Sequence, residues 1–226
     1  MNSHANTPEL SDVNELSITY KLKLQSSSYG NATLGKITNT FSKSENSFTV
    51  KSVTKAQGIA AIIIGSNEQQ SCDFIMQDGY AVTQRYVGGN LKKDKYAVDF
   101  NWQEKIITFE NGETIEMPNG YIVDFCSMPY ALALQKGQGL EDKTMYVVDG
   151  KKKRIRGYTL TSSEPESIET PLGTKETVKV VFQREQRPDR TLTLWLSPSD
   201  RYVPLKIEEK RKSRTTTMTV SSLNIN

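Results

Sequence analysis

The chain has 226 residues, of which 36% are hydrophobic, and a formal net charge of +3 from 29 Lys and Arg against 26 Asp and Glu. This is not the composition of a disordered chain, and the length allows one large β domain or two small ones. The charge is too small and too evenly spread to indicate nucleic-acid binding. The sequence contains no run of about 18 apolar residues, which is the pattern that would predict a transmembrane segment.

Residues 1–14 are polar and predict a flexible leader, followed by a single β-rich domain over residues 15–226. The leader has no apolar segment of the kind that a secretory signal needs. It contains His4, the one histidine of the chain. We therefore expect no Ser-His triad, no histidine general base, no metal site and no cofactor.

Short alternating segments over residues 16–24, 32–41 and 48–54 predict the first strands of an antiparallel meander. The apolar run that follows, residues 57–65, is bracketed by glycines and contains Ile59, Ile62 and Ile63. Periodicity does not separate a buried strand from a helix at this length, but the two alanines favour a short helix that ends at Gly65.

Alternation resumes over residues 72–76, 80–86, 95–101 and 105–110, which predicts four more strands. Val87-Gly88-Gly89-Asn90 is interpreted as a hairpin turn rather than a phosphate-binding loop, because no GxGxxG or Walker-type pattern is present. Asn111-Gly112 is a second turn signal.

A second helix is predicted over residues 127–137, with Ser127 as its N-cap and Gly137 as its stop. Tyr130 and Leu134 fall on one side at helical spacing. Asp124 precedes this helix between two apolar residues. We expect its carboxylate to accept backbone N–H bonds at the helix start, and the alternative is a poised acid in a pocket.

The rest of the chain predicts strands over residues 144–148, 153–161, 174–183 and 215–225, together with one regular hairpin over 191–208. In this hairpin Leu192, Leu194 and Leu196 share one face, and Trp195 lies on the other. Pro204 has no N–H for a ladder, which predicts a sheet edge or a bulge near it.

Two further features leave alternatives open. Cys72 and Cys126 could form a disulfide in an oxidising compartment or remain buried thiols in the cytosol, and their spacing is not that of a CxxC motif. The basic run Lys151-Lys152-Lys153-Arg154-Ile155-Arg156 fits a solvated edge strand, and its alternative is a patch for anionic head groups.

Several segments in this order resemble the bacterial family of domain of unknown function 3108: Gln57–Ala61, Val98–Trp102, Asp124–Ser127, Glu169–Gly173 and the hairpin from Leu194 to Leu205. The resemblance covers most of residues 15–225. It implies a mainly β fold similar to the lipoprotein carriers LolA and LolB: a single antiparallel, strongly curved sheet or half-open barrel, with one or two short helices as plug or lid. It also implies export, with the signal peptide removed and a periplasmic or outer-envelope location; the alternative is a cytoplasmic protein.

The resemblance implies no established activity, and fold alone does not settle function. The leading hypothesis is a non-enzymatic envelope protein that binds a lipid or acyl chain in a half-barrel. Its candidate cavity and plug residues are Ile59, Ile62, Ile63, Tyr130, Leu134 and Leu194. The alternative is an envelope interaction or assembly module with a filled core. An enzyme is the third hypothesis, since no pair of carboxylates stands out.

Overall fold

Fifteen strands and one α-helix are present in the computed structural model, which describes residues 9–28, 30–57, 68–90, 94–141 and 143–226. The first eight strands are β1 (Glu15–Ser26), β2 (Gly30–Ser44), β3 (Ser47–Ala56), β4 (Glu68–Gln77), β5 (Tyr80–Asn90), β6 (Asp94–Asn101), β7 (Ile106–Phe109) and β8 (Thr114–Glu116). The remainder are β9 (Tyr121–Asp124), α1 (Met128–Leu134), β10 (Thr144–Asp149), β11 (Arg154–Thr170), β12 (Gly173–Arg184), β13 (Arg190–Ser197), β14 (Val203–Arg211) and β15 (Arg214–Ile225).

The strands form one 15-stranded sheet, ordered β8-β7-β6-β5-β4-β3-β2-β1-β15-β14-β13-β12-β11-β10-β9. Each pair is antiparallel except β9 with β10. The two outermost strands, β8 and β9, are joined by residues 117–120 alone, which span at most about 18 Å. A flat sheet of this size would be roughly 65 Å wide at the usual strand spacing. The sheet must therefore curl until its edges are close, and β5 indeed packs against β9.

The inner face of this curl carries the hydrophobic core. In β1 the buried residues Leu16, Ile18 and Tyr20 alternate with more exposed neighbours, which is the pattern expected of a strand with one face on the core. Helix α1 lies inside and buries every residue from Met128 to Ala133. The ring of Tyr130 stacks on Phe41 of β2. The prediction of a mainly β, curved and unclosed sheet with a short inner helix is confirmed.

The hairpin of β13 and β14 also forms as predicted, and Pro204 marks a bulge in it. The register shifts between Trp195 and Leu196, where Pro204 pairs. The Pro204 carbonyl accepts a hydrogen bond from the buried Tyr20 hydroxyl at 2.7 Å. Trp195 lies on the outer face and is only 4% exposed. Lys206 Nζ covers it, 4.0 Å from the ring centroid, and its indole N–H donates to Glu166.

Two predictions about local structure are wrong. Residues 87–90 are not a turn but the end of β5, paired on both sides with β4 and β6. Lys151 and Lys152 lie in a 3-10 turn and Lys153 follows it, and β11 after them is an interior strand between β10 and β12. The basic run therefore does not protect a sheet edge.

Residues 1–8 of the expected leader, residues 1–14, lie outside the described residues. Its last part is ordered, because residues 10–12 form a 3-10 turn and both Leu10 and Val13 are buried. Both side chains are apolar, so their burial in the core is favourable, whereas the prediction treated the whole segment as polar. The predicted helix over residues 57–65 lies outside the described residues, except for Gln57, and with it Ile59, Ile62 and Ile63.

Candidate functional site

An apolar cleft of about 230 Å³ lies between the inner face of the sheet and the start of α1. It draws on two distant parts of the chain, since β2, β3 and β4 form one wall and β11 with β13, β14 and β15 forms the other. The lining residues are Ile37, Asn39, Val50, Ser52, Thr54, Gln70, Phe125, Cys126, Met128, Pro129, Tyr158, Leu192, Ile207, Glu209, Thr216 and Met218. The pairing of β1 with β15 holds the two walls together.

One buried polar atom in the cleft is unsatisfied. Asn39 is 7% exposed, and its Oδ1 has no hydrogen-bond partner among the described residues. A buried acceptor without a donor costs about 1–3 kcal/mol. Asn39 follows Ile37 and precedes Phe41 on the inward face of β2, so a polar residue interrupts an otherwise apolar row. That interruption is the sequence signal that would have identified it.

A disulfide connects the segment before α1, which lines one side of the cleft, to the sheet. Cys72 of β4 is bonded to Cys126, with the Cα atoms 5.9 Å apart. Both residues are buried, and Cys126 lines the cleft directly. The bond therefore ties the segment that enters α1 to the β4 wall. The sequence left this pairing as one of two alternatives.

Asp124 organises the same segment from its fully buried position. Its Oδ1 accepts the backbone N–H groups of Cys126 at 2.7 Å and Ser127 at 3.0 Å, and its Oδ2 accepts the Ser127 hydroxyl at 2.6 Å. Thr83 of β5 adds a longer bond at 3.3 Å. Burial raises the pKa of Asp124 above its ordinary value of 3.8, against these hydrogen bonds, which lower it. The predicted structural role for this carboxylate is confirmed.

Asp124 and the two cysteines also place three possible metal ligands within 4.8 Å of one another. The sulfurs are bonded to each other, and a metal ligand must be a free thiolate. The carboxylate is already occupied by donors from its own loop. While the disulfide is formed, these residues connect the segment before α1 to β4 and do not form a metal site.

The candidate residues from the sequence occupy the core more than the cleft. Tyr130 and Leu194 are completely buried and line no part of the cleft, and Leu134 packs against the core from a partly buried position. Their sequence neighbours Met128, Pro129 and Leu192 provide the lining instead. Tyr130 and Leu194 belong to the core and do not contact the open space, and their proposed part in ligand binding stays a prediction.

No helix in the described part of the chain is long and apolar enough to span a membrane. The fold and the cleft together define a protein built on one large, curved and unclosed sheet with an apolar interior space. The chain belongs to the family described as "Protein of unknown function (DUF3108)", whose model matches residues 18–221. A comparison with curated proteins found no match.

A comparison with solved structures found matches at low sequence identity. A beta-barrel-like protein of domain of unknown function DUF1849 from Brucella abortus has a TM-score of 0.60 at 11% identity, covering 95% of this chain and 98% of that one. A domain described as outer membrane lipoprotein-sorting, from Vibrio parahaemolyticus, has a TM-score of 0.29 at 8% identity, covering 94% and 86%. A DUF1329 family protein from Desulfovibrio piger has a TM-score of 0.23 at 8% identity, covering 95% and 86%. The first of these establishes likeness of fold and nothing more.

Proposed function

We propose that this protein is a non-enzymatic protein of the bacterial envelope, and that it binds a lipid or acyl chain in the cleft beside α1. The observation that carries the proposal is the cleft itself, an apolar space with an unpartnered acceptor, Asn39 Oδ1, in its wall. Apolar pockets with a few polar groups that fix orientation are typical of small-molecule sites. A ligand with an apolar body and a hydrogen-bond donor would satisfy both features.

The size of the cleft favours a slender ligand. Its volume of about 230 Å³ lies below the roughly 300 Å³ at which drug-sized pockets begin. Buried aromatic residues such as Phe41, Phe74 and Tyr130 already occupy the neighbouring interior. A single flexible chain fits this geometry better than a bulky ring system.

The envelope location is supported by the disulfide between Cys72 and Cys126. Disulfides form and persist in oxidising compartments such as the periplasm and are rare in the cytosol. The periplasmic assignment is tested by the redox state of these cysteines in fractionated cells. Fully reduced thiols in the native host would contradict it.

Ligand binding is tested by mass spectrometry of lipid extracted from gently purified protein and by titration with a fluorescent fatty acid. Thr216→Trp should abolish binding, because Thr216 lines the cleft and a bulky ring there fills it. Thr217→Trp is the matched control, since Thr217 is the next residue of β15 and faces outward. An absence of both co-purifying lipid and saturable binding would overturn the proposal.

The alternative is an assembly module that docks an envelope partner through its basic turn. A groove of about 430 Å³ favours it, lined by Lys95, Lys151 and Lys153 together with Tyr96 and Phe109. This alternative expects a salt-sensitive complex that is lost when Lys151, Lys152 and Lys153 are replaced by Glu. Thr216→Trp should leave that complex intact.

A further inference from the structure

A row of arginines lies on the inner face of the sheet immediately beyond the cleft. Tyr158, Leu192 and Glu209 line the cleft. Side chains two residues apart on a strand share a face. Arg156, Arg190 and Arg211 therefore lie on the same face as Tyr158, Leu192 and Glu209 respectively, one position farther from the cleft. The pairing of the strands agrees, because Arg190 lies opposite Arg211.

Arg184 completes the row from β12, where it lies directly opposite Tyr158. Its surroundings are cationic. Burial is the largest cause that lowers the pKa of the Arg184 guanidinium. The positive charges of Arg156, Arg190 and Arg154 lower it further, and Tyr158 raises it. Arginines from β11, β12 and β13 are thus close enough to repel one another.

Only part of this charge is compensated within the described residues. Asp149 forms an ion pair with Arg156, which is 5% exposed. The Oδ2 atom of Asp149 also lies 3.6 Å from Nε of Arg154. Glu209 accepts two bonds of 2.6 Å from Arg211. Asp149 and Glu209 are thus the carboxylates that form ion pairs with these five guanidinium groups in the described residues, counting Arg184 and Arg190. Asp189 lies nearby but is bound by Arg187, which lowers its pKa most, and the charge of Arg190 has a smaller effect on it.

Arg184 and Arg190 have no ion-pair partner in the ranges that the structure describes, and the buried Nε of Arg190 has no acceptor. The buried Nε of Arg156 is also unpartnered. Buried donors of this kind are costly unless an acceptor reaches them. Two buried guanidinium donors, the Nε groups of Arg156 and Arg190, thus lie beside residues that line the apolar cleft.

We propose that these arginines bind the oxyanion headgroup, phosphate or carboxylate, of a single-chain amphiphile whose tail occupies the cleft. Guanidinium groups match the geometry of both anions and form strong charge-assisted hydrogen bonds with them. Tyr158 and Glu209 mark the boundary between headgroup and tail, since each lines the cleft and lies beside an arginine. This inference rests on the proposed function and names the class of its ligand.

The test compares three probes by isothermal titration calorimetry: a lysophosphatidic acid, the uncharged monoacylglycerol with the same chain, and inorganic phosphate. We expect the lysophosphatidic acid to bind about tenfold or more tighter than the monoacylglycerol at low salt. Added salt should reduce this preference, because Arg184, Arg190 and Arg211 are only partly buried. The doubly substituted variant Arg184→Gln/Arg190→Gln should lose the preference and keep its affinity for the monoacylglycerol.

Arg85→Gln is the control, since Arg85 forms an exposed pair with Asp99 at another part of the sheet and should not change any affinity. Retained monoacylglycerol binding also shows that the doubly substituted variant is folded. Equal affinity for the charged and uncharged lipids, unaffected by the arginine substitutions, would overturn this inference and leave the proposed function standing. Binding of neither lipid would overturn both. Phosphate binding as tight as that of the lysophosphatidic acid would show a free-oxyanion site and would also overturn it.

Discussion

The ring of Tyr130 stacks on the ring of Phe41, with centroids 5.7 Å apart and an interplanar angle of 22°. This contact joins α1 to β2, and both residues are completely buried. The Tyr130 hydroxyl lies beside Asn39: burial raises the pKa of this hydroxyl, and the interaction with the Asn39 side chain lowers it. The ring provides the larger contact between α1 and the sheet.

Tyr130→Ala should lower the free energy of unfolding by about 3–5 kcal/mol, because it leaves a cavity between α1 and the sheet. Tyr130→Phe keeps the ring and should stay within about 1 kcal/mol of the wild type. Urea denaturation of the three proteins measures the difference. A loss as large in the Phe variant as in the Ala variant would show that the hydroxyl is essential.

Removal of the disulfide should destabilise the protein through the unfolded state. Cys72 and Cys126 are separated by 54 residues, and closing a loop of that length contributes about 4 kcal/mol by chain entropy. We expect Cys72→Ala/Cys126→Ala to unfold at correspondingly lower denaturant concentration. A reducing agent should destabilise the wild type and leave the double variant unchanged. Equal stability of both proteins without reductant would contradict the prediction.

Asp124 should make stability depend on pH in an identifiable direction. Burial raises its pKa above 3.8, so the folded state holds the proton more tightly than the unfolded chain. Stability from this group is therefore greatest below the ordinary pKa and falls as the pH rises from about 4 through the raised value. Asp124→Asn cannot ionise, and the stability of the wild type relative to this variant should decrease with pH over that window.

The measurement is the free energy of unfolding of both proteins across the same pH series. Asp124→Ala provides the packing control, because it leaves the N–H groups of Cys126 and Ser127 without an acceptor and should be about 2–3 kcal/mol less stable than Asp124→Asn at any pH. A wild type that gains stability over Asp124→Asn as the pH rises would show that the hydrogen bonds outweigh burial.

Gly88 should be coupled to Tyr96. A Cβ at Gly88 would collide with the Tyr96 ring, whose hydroxyl lies 2.9 Å from that of Tyr86. Gly88→Ala should therefore cost about 1–3 kcal/mol through overpacking. In a double-mutant cycle with Tyr96→Ala the combined loss should be smaller than the sum of the single losses. Strict additivity would show that the ring moves away freely.

The sequence predicted most of the long strands because each has one buried face and alternates clearly, as in β1 and β13. It missed β8 and β9, since three or four residues are too few to show a period, and all four residues of β9 are buried. It misassigned residues 87–90 because two glycines mimic a turn. In β5 the first of them, Gly88, makes room for the Tyr96 ring instead.

The candidate site was harder to predict. Asn39 and Glu209 line one cleft, but about 170 residues of chain separate them, and only the pairing of β1 with β15 brings their walls together. The arginines beyond the cleft come from four strands whose faces depend on turns and bulges, such as the register shift between Leu160 and Ser162. No local pattern records such long-range register.

The order of the strands has a consequence for how the molecule assembles. The strands from β1 to β8 pair with sequence neighbours, and so do those from β9 to β15, which makes two locally connected halves, antiparallel except for β9 with β10. The ladder between β1 and β15 joins them and extends to the pair Leu16 and Ile225. Contacts between residues so far apart in sequence form slowly, because the chain must lose loop entropy before they form. Each half can therefore gain structure as the chain emerges, whereas the ladder that unites them waits for the last strand to be made.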